Sequence, residues 1–206
     1  MKYKVKNTLL EIYWYIRRNL FPPALPINTD GKVYINLGSA QKTGPEFINI
    51  DQRTLPTVHY IADVTDLHMF PDNSVDMIYA CHLVEHIPRS RLVATMREWR
   101  RALKVGGVFR FAVPDFDALV EIYNLSGKDM FSIINQLMGQ DAPYDNHCTA
   151  WNTRYAEALL KEAGFTTVRP WDVNTAEHHS WNDKASRTMT AGGKAVLISL
   201  NIEAVK

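Results

Sequence analysis

The chain has 206 residues and contains little cysteine. Its two cysteines, Cys81 and Cys148, lie far apart, and neither belongs to a CxxC pair. This pattern argues against a disulfide scaffold and against a cysteine-based zinc site. We therefore expect a protein of a reducing compartment and predict a cytoplasmic location.

Long hydrophobic runs are also missing. No apolar segment reaches the roughly 18 residues that a membrane-spanning helix needs. The most apolar stretch near the start, Leu9 to Ile16, contains Glu11. Arg17 and Arg18 follow it without a small-residue cleavage site, so we do not expect a signal peptide.

No excess charge of one sign is present, because 23 basic residues face 22 acidic ones. The net charge of +1 gives no indication of a nucleic-acid partner. The sequence has no P-loop, and Gly38 to Gly44 does not supply the G-x-G-x-x-G pattern of nicotinamide enzymes. The first twenty residues nevertheless carry a local net charge of +4.

Apolar runs alternate with helical patterns, which predicts an α/β fold with a mostly parallel sheet. The predicted strands are Val33–Leu37, Phe47–Ile50, Val58–Ala62, Val75–Cys81, Val108–Val113, Phe165–Trp171 and Ala195–Val205. The predicted helices are 3–21, Arg89–Leu103, which Gly106 and Gly107 end, and Thr153–Ala163, which Thr153 caps. We predict a helical insertion at about 116–150 and a polar loop at 178–193.

The first two crossovers are too short for helices, since only nine residues, Gly38 to Glu46, and six, Gln52 to Thr57, are available. One face of the sheet should then lack its usual helical cover. The amphipathic helix at 3–21, within an N-terminal unit of residues 1–30 ahead of a domain at 31–206, is predicted to dock there or to pair with a second chain. A third hypothesis places this basic, aromatic helix on an anionic membrane surface.

Three neighbouring strands end on small or acidic residues. Gly38 follows the first strand, Asp51 the second and Asp63 the third. In an open α/β sheet, ligands bind outside the carboxyl ends of the strands. Gly38 lets a ligand approach the backbone, because it has no Cβ. The two carboxylates can accept hydrogen bonds from ribose hydroxyls and from an exocyclic amine. This set of groups predicts an adenosine-containing ligand.

Five motifs in this order resemble the class I S-adenosylmethionine-dependent methyltransferases, in particular the small-molecule branch of methyltransferase type 11. The motifs are Ile35–Ala40, Ile48–Asp51, Ala62–Leu67, Asp76–Ile87 and Leu103–Phe109. The resemblance covers about Lys32 to Asp115. In two respects the chain departs from the family: Ser39 and Ala40 follow Gly38 where further glycines are usual, and the first crossover is short.

The resemblance implies a Rossmann-like, doubly wound sheet of seven strands in the order 3-2-1-4-5-7-6, with the last strand antiparallel. It implies S-adenosyl-L-methionine as cofactor. Asp51 would bind the ribose hydroxyls, and Gly38 would lie next to the ribose and methionine parts. Asp63 and the Val64 amide would bind the adenine. The predicted cofactor-binding residues are Leu37, Gly38, Ser39, Asp51, Asp63, Val64, Cys81 and His82.

The predicted activity is methyl transfer to a hydroxyl of a small molecule or saccharide, which needs a base to take the proton. The candidates are His82, His147 and Asp115, with structural roles as alternatives: a loop hydrogen bond for His82 and a helix cap for Asp115. Likewise, Asp51 could cap a helix, and Asp63 could cap a turn with Thr65.

Two further hypotheses concern function more broadly. The chain could be an inactive cofactor-binding fold that serves as a partner or scaffold subunit. The histidines 178 and 179 could suggest a metal, but adjacent side chains on an extended loop point apart, so no metal is predicted. The fourth motif lacks the Asn/Asp-Pro-Pro-Tyr/Phe type of nucleic-acid base methylases, so no nucleic acid is predicted as a partner.

Overall fold

A seven-stranded sheet forms the centre of the computed structural model, which describes residues 12–17, 20–21, 23–40, 44–140 and 145–206. The strands of this sheet are β1 (Tyr34–Leu37), β2 (Phe47–Asp51), β3 (Tyr60–Ile61), β4 (Val75–Cys81), β5 (Leu103–Pro114), β6 (Thr167–Pro170) and β9 (Ser199–Val205). Their order is β3-β2-β1-β4-β5-β9-β6. The last strand, β9, runs antiparallel to both of its neighbours. The predicted fold and strand order are confirmed.

The register of the parallel strands aligns their carboxyl ends. Leu37, the last residue of β1, lies opposite Ile50 of β2 and Ala80 of β4. The residues that follow, Gly38, Asp51 and Cys81, therefore reach the same edge of the sheet.

The early crossovers contain no helix in the residues described. The segments 38–40 and 44–46 between β1 and β2 form turns, and residues 52–59 between β2 and β3 form bends and turns. The expectation of shortened or missing crossover helices is therefore confirmed for this part of the chain.

One face of the sheet is covered by helices. The helices after the first strand are α1 (Leu92–Ala102), α2 (Phe116–Leu125), α3 (Ile134–Met138) and α4 (Thr153–Glu162), of which α1 and α4 cover this face. The helix α1 packs against β5 and α4, with Trp99 fully buried. Several predicted boundaries are wrong, and helix α1 begins at Leu92 rather than at Arg89. Helix α1 ends at Ala102, because β5 begins at once and includes the glycines at 106 and 107, and the cap of α4 is Asn152, whose side chain accepts from the Tyr155 amide.

The opposite face is covered by the segment 171–186. Trp171 and Ala185 of this segment are buried against Tyr34, Phe47 and Tyr79 of the sheet. This segment thus covers the face on which the helix at 3–21 was expected to dock or, failing that, to pair with a second chain. Residues 12–17 are helical and mostly exposed, while residues 3–11 and 18–19 of the predicted helix lie outside the described residues.

The loop predicted at 178–193 and the long last strand are both corrected. Strands β7 (Thr188–Ala191) and β8 (Lys194–Leu197) form a hairpin, and Gly192 and Gly193 at its turn both have positive φ. Two such residues are typical of the type I′ turn, which matches the twist of paired strands. The hairpin packs on α2, with Val196 and Ile198 beside Leu119 and Ile122.

The helical insertion predicted at about 116–150 contains α2, a short 3-10 turn at Met130–Ser132 and α3. Residues 141–144 of this region lie outside the described residues. Among the helices of the described residues, none combines the length and apolar character needed to cross a membrane.

Candidate functional site

A cavity of about 540 Å³ opens at the carboxyl edge of β1, β2 and β4. Its walls come from three strand ends, the turn after β4 and the segment 182–184. The lining residues are Asn36, Gly38, Ser39, Ala40, Asp51, Gln52, Arg53, Asp63, Val64, Tyr79, Cys81, His82, Leu83, His86, Asp145, Asn182, Asp183 and Lys184.

The turn after β1 folds tightly against the tip of β2. Gly38 has φ +62°, and its amide donates to the Ile50 carbonyl at 2.8 Å. A Cβ at this position would lie 2.7 Å from Leu83 Cδ1, so glycine suits both the conformation and the space. Ala40 also has a positive φ of 45°. The buried Ser39 Oγ has no hydrogen-bond partner among the described residues.

Asp51 lies at the end of β2 and is almost completely buried. Its carboxylate accepts from the amides of Ala40 and Arg53, each at 2.9 Å, and from Arg53 Nε and Nη2 at 2.9 and 2.8 Å. Burial acts to raise the pKa of Asp51, but these hydrogen bonds outweigh it and hold the pKa below its usual value. The carboxylate is thus ionised and is bound by Arg53 in this form of the protein.

Asp63 lines the cavity but is more exposed than Asp51. Its Oδ1 accepts from the amide and the hydroxyl of Thr65, and Arg91 lies 3.7 Å from its Oδ2. The turn-capping alternative is therefore present in the structure, alongside a position on the cavity wall. The Val64 carbonyl accepts from Trp99 Nε1 at 2.8 Å, which anchors this turn to α1.

His82 follows β4 with φ +50°, and its side chain is nearly buried. Its Nε2 lies 3.0 Å from Ser199 Oγ, which donates its only proton to the Lys184 carbonyl at 2.6 Å. Nε2 must therefore donate to Ser199.

The second ring nitrogen of His82, Nδ1, lies 3.1 Å from Glu85 Oε1. Burial acts to raise the pKa of Glu85, but the hydrogen bond and charge of His82 outweigh it, so the pKa is lowered and Glu85 is a carboxylate. Together with the Ser199 contact, this places the His82 ring at the cavity wall between Ser199 and a buried carboxylate.

A buried polar cluster meets the cavity at the end of β4. The Tyr79 hydroxyl donates to Asp183 Oδ2 at 2.6 Å, and Asp183 Oδ1 accepts from the Ala185 amide. Burial, with the charge of Asp183, raises the pKa of both Tyr79 and Cys81. The Cys81 thiol is therefore neutral at the cavity wall.

The other predicted residues are placed around the cavity rather than in its wall. Leu37 is buried in β1. Asp115 caps α2, accepting from the Asp117 amide at 3.0 Å, and burial raises its pKa. His147 lies behind His86, with 4.9 Å between ring centroids. The predicted alternative of a cap for Asp115 is thus the contact observed.

Sequence reasoning missed several lining residues, above all Arg53 and Asp183. Arg53 follows Asp51 by two residues, a spacing at which an Asp side chain commonly bonds a nearby amide, and this signal was available. Asp183 could not be found in this way, because the segment that carries it is polar and returns to the sheet from a distant part of the chain.

Comparison with known proteins agrees with this fold. The model of a methyltransferase domain family matches residues 40–111. A SAM-dependent methyltransferase from Archaeoglobus fulgidus is similar over 95% of this chain and 94% of its own, with 15% identity and a TM-score of 0.54. A SAM-dependent methyltransferase from Thermotoga maritima, described as a possible histamine N-methyltransferase, is similar over 95% of this chain and 89% of its own, with 14% identity and a TM-score of 0.51.

The carbon methyltransferase CurJ also shares the fold, with 16% identity over 97% of this chain and 53% of its own and a TM-score of 0.51. No curated protein matches the sequence. The domain match over residues 40–111 and the shared fold support the predicted resemblance to the class I S-adenosylmethionine-dependent methyltransferases, whose cofactor is S-adenosyl-L-methionine.

Proposed function

We propose that this chain transfers a methyl group from S-adenosyl-L-methionine to a hydroxyl of a small molecule or saccharide. The observation that carries the proposal is the buried, ionised Asp51 at the tip of β2, in the wall of a 540 Å³ cavity beside Gly38. An ionised carboxylate at this edge of the sheet can accept hydrogen bonds from two vicinal hydroxyls.

The residues present fit the cofactor. A side chain at residue 38 would collide with Leu83 at the cavity wall, and the unpartnered Ser39 Oγ offers a hydrogen bond to the amino-acid part of the cofactor. Asp63 and Val64 would hold the adenine end, and Cys81 and His82 would form the wall on the methyl side. The cofactor supplies an electrophilic methyl group, so the protein mainly has to align the acceptor with it.

Asp51 is engaged by Arg53, and cofactor binding therefore requires the Arg53 side chain to release at least part of the carboxylate. The Arg53 side chain is 49% exposed, so its guanidinium can be rehydrated when it leaves. The alternative of an inactive scaffold subunit is supported by the same contact. If the Asp51–Arg53 ion pair stayed intact, the protein would not bind the cofactor.

Titration calorimetry with S-adenosylhomocysteine tests the proposal. The wild type is expected to bind with one site, and Asp51→Asn to bind at least about tenfold more weakly, because loss of a charged hydrogen-bond acceptor costs roughly 1.5–3 kcal/mol. Asp66→Asn, which alters an exposed turn carboxylate outside the cavity, is the matched control and should bind as the wild type does. The proposal would be overturned if the wild type did not bind millimolar S-adenosylhomocysteine, or if Asp51→Asn bound it with full affinity.

The N-terminal segment remains a separate proposal. Residues 12–17 expose Ile12, Tyr13, Tyr15 and Ile16, which is consistent with peripheral membrane contact or a homodimer through residues 3–21. Liposome flotation at low salt, together with light scattering, distinguishes the two: flotation supports the first and a dimeric mass without flotation the second. A monomer that does not float contradicts both.

A further inference from the structure

The turn after β4 and the segment after α3 bring together one carboxylate and two imidazoles that cofactor binding does not use. Glu85, His86 and His147 each offer a ligand atom, and these atoms lie within 4.8 Å of one another. We propose that Glu85, His86 and His147 bind a divalent cation of the zinc class at the acceptor side of the cavity.

The buried carboxylate is the first observation that points to a cation. Glu85 is fully buried, and neither of its carboxylate oxygens has a hydrogen-bond partner among the described residues, although Oε1 lies 3.1 Å from His82 Nδ1. A buried carboxylate oxygen without a partner is costly, and in native proteins it calls for a missing ion or water. A carboxylate oxygen of Glu85 is therefore available to a cation.

The two histidines are oriented as metal ligands usually are. His86 Nδ1 lies 3.1 Å from the Asn146 carbonyl, and the ring of His147 hydrogen-bonds the backbone of Gln136. A carbonyl can only accept, so each ring donates one N–H outward and keeps one lone pair in the neutral form.

The backbone holds these elements in place. The Cys148 amide donates to the Glu85 carbonyl at 2.7 Å, and the His147 amide donates to the Met138 carbonyl at 3.1 Å. The turn after β4 and the segment after α3 are thus joined next to the cluster. The ligand atoms still have to draw closer, since zinc lies about 2.0–2.2 Å from nitrogen and oxygen ligands.

Two imidazoles with one carboxylate suit zinc or a similar borderline cation and do not suit magnesium, which prefers oxygen ligands. Three protein ligands leave a coordination position open, as in catalytic zinc sites. His86 also lines the cavity, so this position can take the acceptor oxygen.

This acceptor role, unlike cation binding itself, rests on the proposed function. The bound hydroxyl would release its proton to solvent, and its oxygen would form the bond to the methyl carbon as the carbon–sulfur bond breaks.

Calorimetry with Zn²⁺ alone tests the site on the full chain. We expect one equivalent to bind, His86→Gln and His147→Gln each to weaken binding about tenfold or more, and Mg²⁺ to give no comparable heat. His68→Gln, at an exposed histidine elsewhere, is the control and should bind as the wild type does. No saturable Zn²⁺ binding, or unchanged affinity in both ligand variants, overturns the proposal.

Co²⁺ absorption of the wild type gives a second measurement that does not depend on the variants folding. Intense d–d bands of a four- or five-coordinate ion support the site, whereas the weak bands of a hexaaqua-like ion overturn it. S-adenosylhomocysteine titration in EDTA separates this proposal from the previous one. Cofactor binding in EDTA without Zn²⁺ binding refutes only the metal site, and Zn²⁺ binding without cofactor binding refutes only the methyltransferase proposal.

Discussion

Replacing Asp51 by Asn should destabilise the fold by about 2–3 kcal/mol. The carboxylate accepts four hydrogen bonds, one from Ala40 and three from Arg53, on a side chain that is almost completely buried. An amide keeps one acceptor oxygen and turns an NH₂ group toward donors. The half-exposed Arg53 side chain can be hydrated by water in the variant, which recovers part of the lost free energy. The expected cost is therefore smaller than the sum of four charged hydrogen bonds.

Arg53→Met provides the contrast that makes this prediction specific. It removes the guanidinium but leaves Asp51 bound to the two backbone amides, so the expected loss is about 1 kcal/mol. Urea unfolding followed by fluorescence of the tryptophans measures both values. A cost below 1 kcal/mol for Asp51→Asn, or an equal cost for Arg53→Met, would show that the carboxylate is not the acceptor of this network.

The same comparison has a pH signature. Because the pKa of Asp51 is lowered in the folded protein, its contribution is complete above the unfolded value of about 4 and is lost as the pH falls through the folded pKa. The wild type should therefore lose stability more steeply than Asp51→Asn below about pH 4. Parallel pH profiles would contradict the assignment.

Three other substitutions test the fold around the site, each by urea unfolding. Ala40→Gly should raise the unfolding free energy by about 0.5 kcal/mol. The φ of 45° strains alanine in the folded state, and relief of this strain exceeds the entropy that glycine adds to the unfolded chain. A decrease in the unfolding free energy would contradict this. Arg110→Met should cost about 3 kcal/mol, because it leaves Glu203 buried with one remaining partner; a cost under 1 kcal/mol would argue against a buried pair. Asn152→Ala should cost about 1 kcal/mol through the lost cap to Tyr155, whereas Asn152→Asp should keep most of it; equal losses in the two variants would point away from capping.

Much of the fold was predictable because apolar periodicity and short crossovers are local signals. Strand ends at Gly38 and Asp51 were located to the residue, and the strand order came from the family resemblance. The hairpin at 188–197 was missed even though Gly192 and Gly193 carry the signal for its turn. The polar residues around them outweighed that signal.

The sequence predicted the site residues that lie at strand ends. It did not predict the site residues that distant segments of the chain bring to the cavity. His82 was a candidate base because it follows β4, but its ring nitrogens contact Glu85 and Ser199, and Ser199 is far away in the sequence. Asp183 and the cover at 171–186 reach the sheet only through tertiary packing. Such contacts have no counterpart in local sequence patterns.

A crystal structure with S-adenosylhomocysteine bound tests the central claim most directly. The account predicts the nucleoside in the cavity at the ends of β1 and β2, with ribose hydroxyls on the Asp51 carboxylate and the Arg53 guanidinium moved away from it. Ligand bound elsewhere, or an Asp51–Arg53 pair that stays closed beside a bound ligand, would contradict it.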